Sequence, residues 1–434
     1  MPEAGTTVVM QNKLFGTMLL ATAALVLGLA GGCTPPSGTT GGTTASTTAG
    51  STSGDPGTTP GTKRPDPTSD GATIGETINI GLVASQSGEQ KPWGDDNIKG
   101  SQMAVDEVNK AGGINGKQIK LLVGDSQSAP EQGKSAALKL IADGIVGLLG
   151  EVASGITQQM AQVSKDAGIP IVAIGATRTD LADIGSNFFR VCYNDDFQGA
   201  VMAKFAWDYL KLKEVALMTD AKLPYSVGLS NSFRTSYEAL GGKIVGEEKY
   251  QTTETQFSGY LSNLKAKNPA GVFLSGYFTQ VGPIVSQMRQ AGITVPVMGG
   301  DGWDSSDLIT SGGEAIVGGF FCNHYNSKET RPEVQKFLAD WKTKYGGEPG
   351  TTMGALGYDG AKLMIDAIKR AMDKGGTKSR DITAAIEDTE NFPGVSGTIT
   401  LKGFAGNPSK SALIVKVTKT GFVFEKSYTP EELK

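Results

Sequence analysis

From Thr77 onward, apolar residues alternate between short solid runs and longer stretches spaced three and four apart. Solid runs read as buried strands and the 3–4 spacing as helices. Ile78-Asn79-Ile80-Gly81-Leu82-Val83 predicts a first strand. Ile98, Met103, Val105 and Val108 predict a helix stopped by Ala111-Gly112-Gly113. Lys117–Val123 predicts a second strand and Pro130–Asp143 a second helix, with proline in its first turn. Ile145–Leu149 follows as a third strand, and Ile156, Met160, Val163 and Ala167 carry a third helix. Between them lies Gly150–Thr157, where Ser154 occupies a strand-to-helix junction and is expected to cap the helix. Ile169–Ile174 is a fourth strand leading into Gly175-Ala176-Thr177, and Phe188–Tyr193 is a further extended segment.

The rhythm then restarts. Helices are predicted at Gln198–Leu210, Ser226–Leu240, Ser258–Ala266 and Val281–Ala291. They alternate with strands at Glu214–Thr219, Lys243–Lys249, Ala270–Ser275 and Val295–Met298. Strands alternating with helices imply an α/β fold of mostly parallel sheets with helices on both faces. Two such halves in succession predict two lobes. After them come an extended Val317–Asn323, helices at Pro332–Tyr345 and Ala355–Asp373, and strands at Gly397–Leu401, Ala412–Thr418 and Phe422–Lys426. These do not make a third lobe and must return to the two existing sheets. The expected division is 77–193 with 324–396 in lobe one, and 194–323 with 397–434 in lobe two, joined by a multi-strand hinge.

The N-terminal part is different. Leu14 to Ala30 is mostly apolar, preceded by Lys13 and followed by Ala30-Gly31-Gly32-Cys33. This resembles a bacterial lipoprotein signal, which implies a signal peptide at 1–32 and lipidation of Cys33. Met10 offers a second start, and the alternative to cleavage is a retained membrane helix near the lower length limit for spanning. Thr34–Thr73 is Gly, Ser, Thr and Pro, almost without aliphatics. Such a segment cannot bury enough surface to offset its ordering entropy. Residues 33–76 are therefore expected to be a lipidated cysteine and a disordered tether of roughly 40 residues, about 35 Å end to end. The body would be held outside the cytoplasm on a membrane, on the periplasmic side in a two-membrane cell.

Composition narrows the chemistry. The net charge is −4 over 434 residues and no Lys/Arg-rich stripe is visible, which excludes a nucleic-acid partner. One histidine and three cysteines leave little material for a metal site, and neither metal nor cofactor is expected. His324 is expected to be a solvated or packed residue away from the strand ends. The first strand–helix turn, Ser85-Gln86-Ser87-Gly88, lacks the glycine patterns of nucleotide loops. No nucleophile–base pair stands out, so an enzyme is not expected.

Ligands of parallel α/β sheets bind beyond the carboxyl ends of the strands. In lobe one those ends offer Ser154, Thr177 and backbone N–H groups; in lobe two they offer Tyr225, Tyr277 and Asp301. Hydroxyls and N–H groups suit a carboxylate. Asp301 with tyrosine faces and oxygens suits an ammonium. Together they describe a zwitterion held across a cleft. Val152 and Ala153 beside Ser154, with Trp93 opposite, favour an apolar or medium-sized side chain.

At this point the residues resemble a known family. The opening segment Gly88–Gly94 is part of the likeness, as is Val105-Asp106-Glu107-Val108-Asn109 followed by Gly112-Gly113-Ile114-Asn115-Gly116. Asp125, Phe189-Arg190, Gln198-Gly199 and Tyr358-Asp359-Gly360 follow in order. From about Thr77 to Lys426 the chain is similar to leucine/isoleucine/valine-binding, type I periplasmic solute-binding proteins of ABC transporters. The resemblance implies that Ser154 and Thr177, with the backbone at Gly175, hold the ligand carboxylate. It implies lobe-two tyrosines at Tyr225 and Tyr277, an ammonium acceptor at Asp301, and Trp93 over the ligand side chain. It also brings the crossover residues Cys192 and Cys322 side by side, where either a hinge disulfide or two buried thiols would fit an exported protein. The implied function is capture of an amino acid and its delivery to permease subunits by a monomer. The alternatives are a lipid-tethered sensor and a short amide or urea as ligand.

Overall fold

The computed structural model describes residues 63–433. The expected signal, Cys33 and most of the tether lie outside them. The first sheet is built from β1 (Ile78–Ala84), β2 (Ile119–Asp125), β3 (Gly147–Leu149), β4 (Ile171–Ala173) and β5 (Phe188–Arg190). Its order is β2-β1-β3-β4-β5 and every pair is parallel. β1 is buried along almost its whole length, as a strand covered by helices on both faces must be. The connections are α1 (Lys91–Lys110), α2 (Pro130–Ala142) and α3 (Ser154–Ala167).

The chain then enters α4 (Asp195–Lys204) and the second unit of the pattern. Its strands are β6 (Glu214–Asp220), β7 (Lys243–Tyr250), β8 (Gly271–Ser275), β9 (Val297–Gly299) and β10 (Phe320–Asn323). The helices between them are α5 (Pro224–Ala239), α6 (Ser258–Ala266), α7 (Phe278–Gln290) and α8 (Ser306–Gly312). The order β7-β6-β8-β9-β10 repeats that of the first sheet. In both sheets the order reverses beside the first strand, and the crevice at that reversal is where such folds bind ligands.

The late elements return to both sheets, as expected. α9 (Pro332–Tyr345), α10 (Met353–Asp373) and α11 (Ser379–Glu387) come first, then β11 (Phe392–Gly394) and β12 (Gly397–Ile399). β13 (Ala412–Thr418) and β14 (Gly421–Tyr428) close the chain and extend the second sheet antiparallel beyond β10. β12 departs from expectation. It pairs only with β11, as a separate ribbon.

α10 lies against α1 at backbone contact. A Cβ on Gly100 would come within 2.0 Å of the Gly354 carbonyl, and one on Gly94 within 2.0 Å of Ser85 O. The first turn of α1 is thereby pressed onto the end of β1, which brings Trp93 to the strand ends. Lys63–Glu76 is not the free tether that its composition suggested. Arg64 donates to Phe188 O at 2.8 Å, Ser186 N–H donates to Pro65 O, and Asp70 pairs with Lys378 and Arg380. Hydroxyl and backbone groups add to these bonds: Thr68 Oγ1 donates to Asp166 O at 2.7 Å, and Ile74 N–H donates to Thr377 O at 2.8 Å.

The segments that cross between the sheets are knit by buried polar groups. Lys410 donates to Val191 O at 2.9 Å and Ser396 Oγ at 2.7 Å. Asp359 accepts from Val395 N, Ser396 N and Ser396 Oγ. Burial pushes the Lys410 ammonium down to about 8.

Candidate functional site

At the end of β3 the chain turns on Gly150, whose φ is +102°. A Cβ there would sit 2.1 Å from Val83 O, so only glycine fits. The turn sends Glu151 inward. Its Oε1 accepts from Ser85 Oγ at 2.6 Å and Ser126 Oγ at 2.9 Å. Its Oε2 accepts from Val152 N and Ala153 N, both at 2.8 Å. Burial pushes the carboxyl upward while these four bonds hold it down.

Glu151 thus occupies the approach to α3 that Ser154 was expected to cap. Ser154 is the first helical residue and does not cap; its Oγ accepts from Arg178 N at 3.3 Å. Thr177 follows β4 and is buried. Gly175 is hemmed in by Met353 Sδ and Val152 Cγ1, each 2.9 Å from where a Cβ would be. Asp195, at the start of α4, donates its N–H to Thr177 O at 2.7 Å. Its Oδ1 accepts from Gln198, and the Thr177 hydroxyl lies against the same carboxyl. Burial, and then the Asp301 charge, push Asp195 well above the usual carboxylate range.

On the second sheet, Asp301 follows β9 and Gly300. Its Oδ1 accepts from Tyr225 OH at 2.9 Å, and its Oδ2 lies 3.0 Å from His324 Nε2. Its backbone N–H donates to Gln198 Oε1 at 2.7 Å. Tyr225 OH in turn accepts from Gly302 N at 3.0 Å. The Tyr225 and Tyr277 rings stack with centroids 5.3 Å apart. A Cβ on Gly300 would crowd Tyr225 OH at 2.7 Å, so the glycine before Asp301 lets the tyrosine reach it.

Trp93 joins the two halves. Its indole Nε1 donates to Asp304 O at 2.7 Å, and its ring meets Tyr277 and Phe278 edge-on at 5.1 Å and 5.0 Å. Asp304 Oδ2 accepts from Thr352 N at 2.6 Å and Oγ1 at 2.7 Å, and Oδ1 accepts from Asn323. Burial pushes this carboxyl up to about 6. All the side chains singled out from the sequence are buried: Trp93, Ser154, Thr177, Tyr225, Tyr277 and Asp301. Two cavities adjoin them, of about 390 Å³ beside Asp304 and Phe422 and about 600 Å³ beside Arg178 and Lys222. Neither is lined by Ser154, Thr177, Tyr225, Tyr277 or Asp301, which are buried.

One expectation is corrected, and one open alternative is decided. His324 is not remote from the strand ends; it is buried against Asp301, because β10 lies beside β9 in the sheet. Cys192 and Cys322 are buried free thiols and form no disulfide. Cys192 Sγ is directed at Ala176 O, 3.5 Å away, instead. Sequence reasoning also missed Glu151, Asp195 and Met353. For Glu151 the available signal was a carboxylate directly after the glycine of a strand-to-helix junction.

The geometry defines a two-lobed binding protein: two doubly wound sheets of one topology, strand ends facing each other, with hydroxyls and acids between them. The family model described as "Periplasmic binding protein" matches residues 77–421, and the chain belongs to that family. Its relatives include the Leu/Ile/Val-binding protein BraC3 of Rhizobium johnstonii, 30% identical over 74% of this chain and 87% of that one. The leucine binding protein LivK of Thermotoga maritima is 32% identical with a TM-score of 0.78, covering 82% of this chain and 100% of that one. The isoleucine complex of LivJ from Streptococcus pneumoniae is 30% identical with a TM-score of 0.75, covering 81% of this chain and 99% of that one.

Proposed function

We propose that this chain captures an amino acid with an apolar side chain outside the cytoplasm and delivers it to an ABC-transporter permease. The observation that carries the reading is a pair of buried carboxyl groups at the strand ends. Asp195 and Asp301 are both buried and the Asp301 charge acts on Asp195, yet neither is salt-bridged to a lysine or arginine among the described residues. Buried acidic groups are normally paired, so two of them at strand ends without a cation point to a cationic ligand group. An ammonium satisfies both carboxyl groups. The ligand carboxylate goes to Ser154 and the backbone around Gly175 and Thr177. The aromatic faces of Trp93, Tyr225 and Tyr277, with Met353 and Val152, suit an aliphatic side chain. The leucine- and isoleucine-binding relatives support that choice.

The mechanism is closure. Lobe one (77–193 and 324–396) brings Ser154, Thr177 and Trp93. Lobe two, built on the second sheet, brings Tyr225, Tyr277 and Asp301. Only the closed form satisfies both ends of the zwitterion, so the ligand shifts the population towards it. The closed body, a monomer tethered through lipidated Cys33, then docks on the permease. Micromolar affinity corresponds to about −8 kcal/mol. A thermal-shift screen of the twenty amino acids, with short amides and urea alongside, tests the reading. Stabilisation by leucine, isoleucine or valine is expected; no stabilisation by any amino acid overturns it.

A further inference from the structure

His324 sits immediately after β10, and its side chain has no exposed surface. Nε2 lies 3.0 Å from Asp301 Oδ2. A carboxylate only accepts, so Nε2 carries the hydrogen. Nδ1 is buried without a partner. The ring stacks on Tyr193 with centroids 4.2 Å apart. The charged and titratable groups acting on it are Asp301, Lys410 and the Tyr193 phenol. A second proton would leave an unpaired N–H in a dry place near the Lys410 ammonium, and burial opposes it further. The imidazole is therefore a neutral, single-sided donor.

Asp301 is held from three directions. Tyr225 donates to Oδ1, His324 to Oδ2, and the backbone N–H is fastened to Gln198. A carboxylate has about four acceptor sites, and these two side chains use one on each oxygen. Two donors on opposite oxygens stop the group rotating, and the remaining lone pairs keep one direction. We propose that His324 is the positioning residue for Asp301, fixing the carboxylate so that its free lone pairs face the ligand ammonium. The inference rests on the amino-acid reading above and names a residue not among those singled out from the sequence. Its effect is preorganisation: the acceptor need not be ordered when the ligand arrives.

The test uses the untagged chain, which carries a single histidine. Nitrogen-15 labelling of that imidazole gives one spin system. The expected spectrum at neutral pH shows hydrogen on Nε2 alone. Calorimetry with the best-binding branched-chain amino acid supplies the second readout. His324→Phe keeps the ring and removes the donor, and should weaken binding at least about tenfold. His324→Gln returns an N–H at a similar reach and should recover affinity to within about threefold of wild type. A Phe variant that binds like wild type, a Gln variant no better than Phe, or a ring protonated on Nδ1 overturns the inference. The spectrum decides it even where a variant fails to fold. A wild-type chain that binds no amino acid overturns the underlying reading, and the inference with it.

Discussion

The Trp93 indole donates its N–H to the main-chain carbonyl of Asp304, 2.7 Å away and 211 residues later in the chain. Trp93 stands at the end of the first sheet and Asp304 at the end of the second, so one hydrogen bond records the approach of the two lobes. The same indole packs edge-on against Tyr277 and Phe278, from the second lobe.

Trp93→Phe retains an aromatic ring and deletes this bond, leaving Asp304 O unpaired. Amino-acid affinity by calorimetry should fall about fivefold, the worth of one neutral hydrogen bond. Trp93→Ala also removes the packing and should cost about 3 kcal/mol or more. Small-angle scattering of the Ala variant with ligand should stay nearer the open dimensions than the wild type does.

Asp301 carries the ammonium contact in the proposed site. Asp301→Ala should cost roughly 3–5 kcal/mol of binding, since it leaves a buried ammonium without its counter-charge. Tyr225→Phe loses only the hydroxyl that donates to Asp301 and should cost about 1–2 kcal/mol. Unchanged affinity in the Asp301 variant, measured by calorimetry, would remove Asp301 from the site.

Asp304 gives a pH signature. Its carboxyl stands at about 6 in the folded chain against an ordinary 3.8, so the folded state holds this proton more tightly than the unfolded chain. The contribution to stability is full below the ordinary value and is lost as pH rises through about 6. The geometry accommodates the proton. Thr352 Oγ1 lies 2.7 Å from Asp304 Oδ2 and 2.9 Å from Asn323 Oδ1, and a protonated Asp304 can donate to it while it donates onward. Asp304→Asn cannot titrate. Denaturation midpoints should therefore show wild type ahead of the variant by up to about 2 kcal/mol more near pH ~4.5 than near pH ~7.5. A gap that does not change with pH would contradict the assignment.

Cys192 and Cys322 should behave as inert thiols. Both are wholly buried, and burial pushes Cys192 up to about 12 and Cys322 higher still. A thiol reagent should leave both unmodified in the native chain at neutral pH and modify both in denaturant. Prior reduction should not change the melting temperature. A disulfide seen by mass spectrometry under non-reducing conditions would reverse this.

Much of the fold was legible from the sequence, for a local reason. Apolar periods of two kinds mark the strands and helices, and they predicted nearly all the elements from Ile78 to Lys426. The site was legible in part, because strand ends can be found by the same periodicity. That sufficed to single out Ser154, Thr177, Tyr225, Tyr277 and Asp301, all of them buried, with Tyr225 joined to both Asp301 and Tyr277. It did not assign their partners. α11 escaped the periodic reading, and β12 was drawn into a sheet it does not join.

The sequence by itself determined the order of elements, the twofold restart and the chemical types available at the strand ends. All of these depend on residues within a few positions of one another. Tertiary structure alone decided who bonds to whom. Glu151 displaces Ser154 as the acceptor at α3 because Gly150 turns it inward, where Ser85 and Ser126, each just past the end of another strand, meet it. His324 reaches Asp301 because β10 settles beside β9. The two cysteines stay apart as thiols although both lie on crossover segments. Each outcome is set by strand order and helix packing between segments tens to hundreds of residues apart, and no local period carries that information.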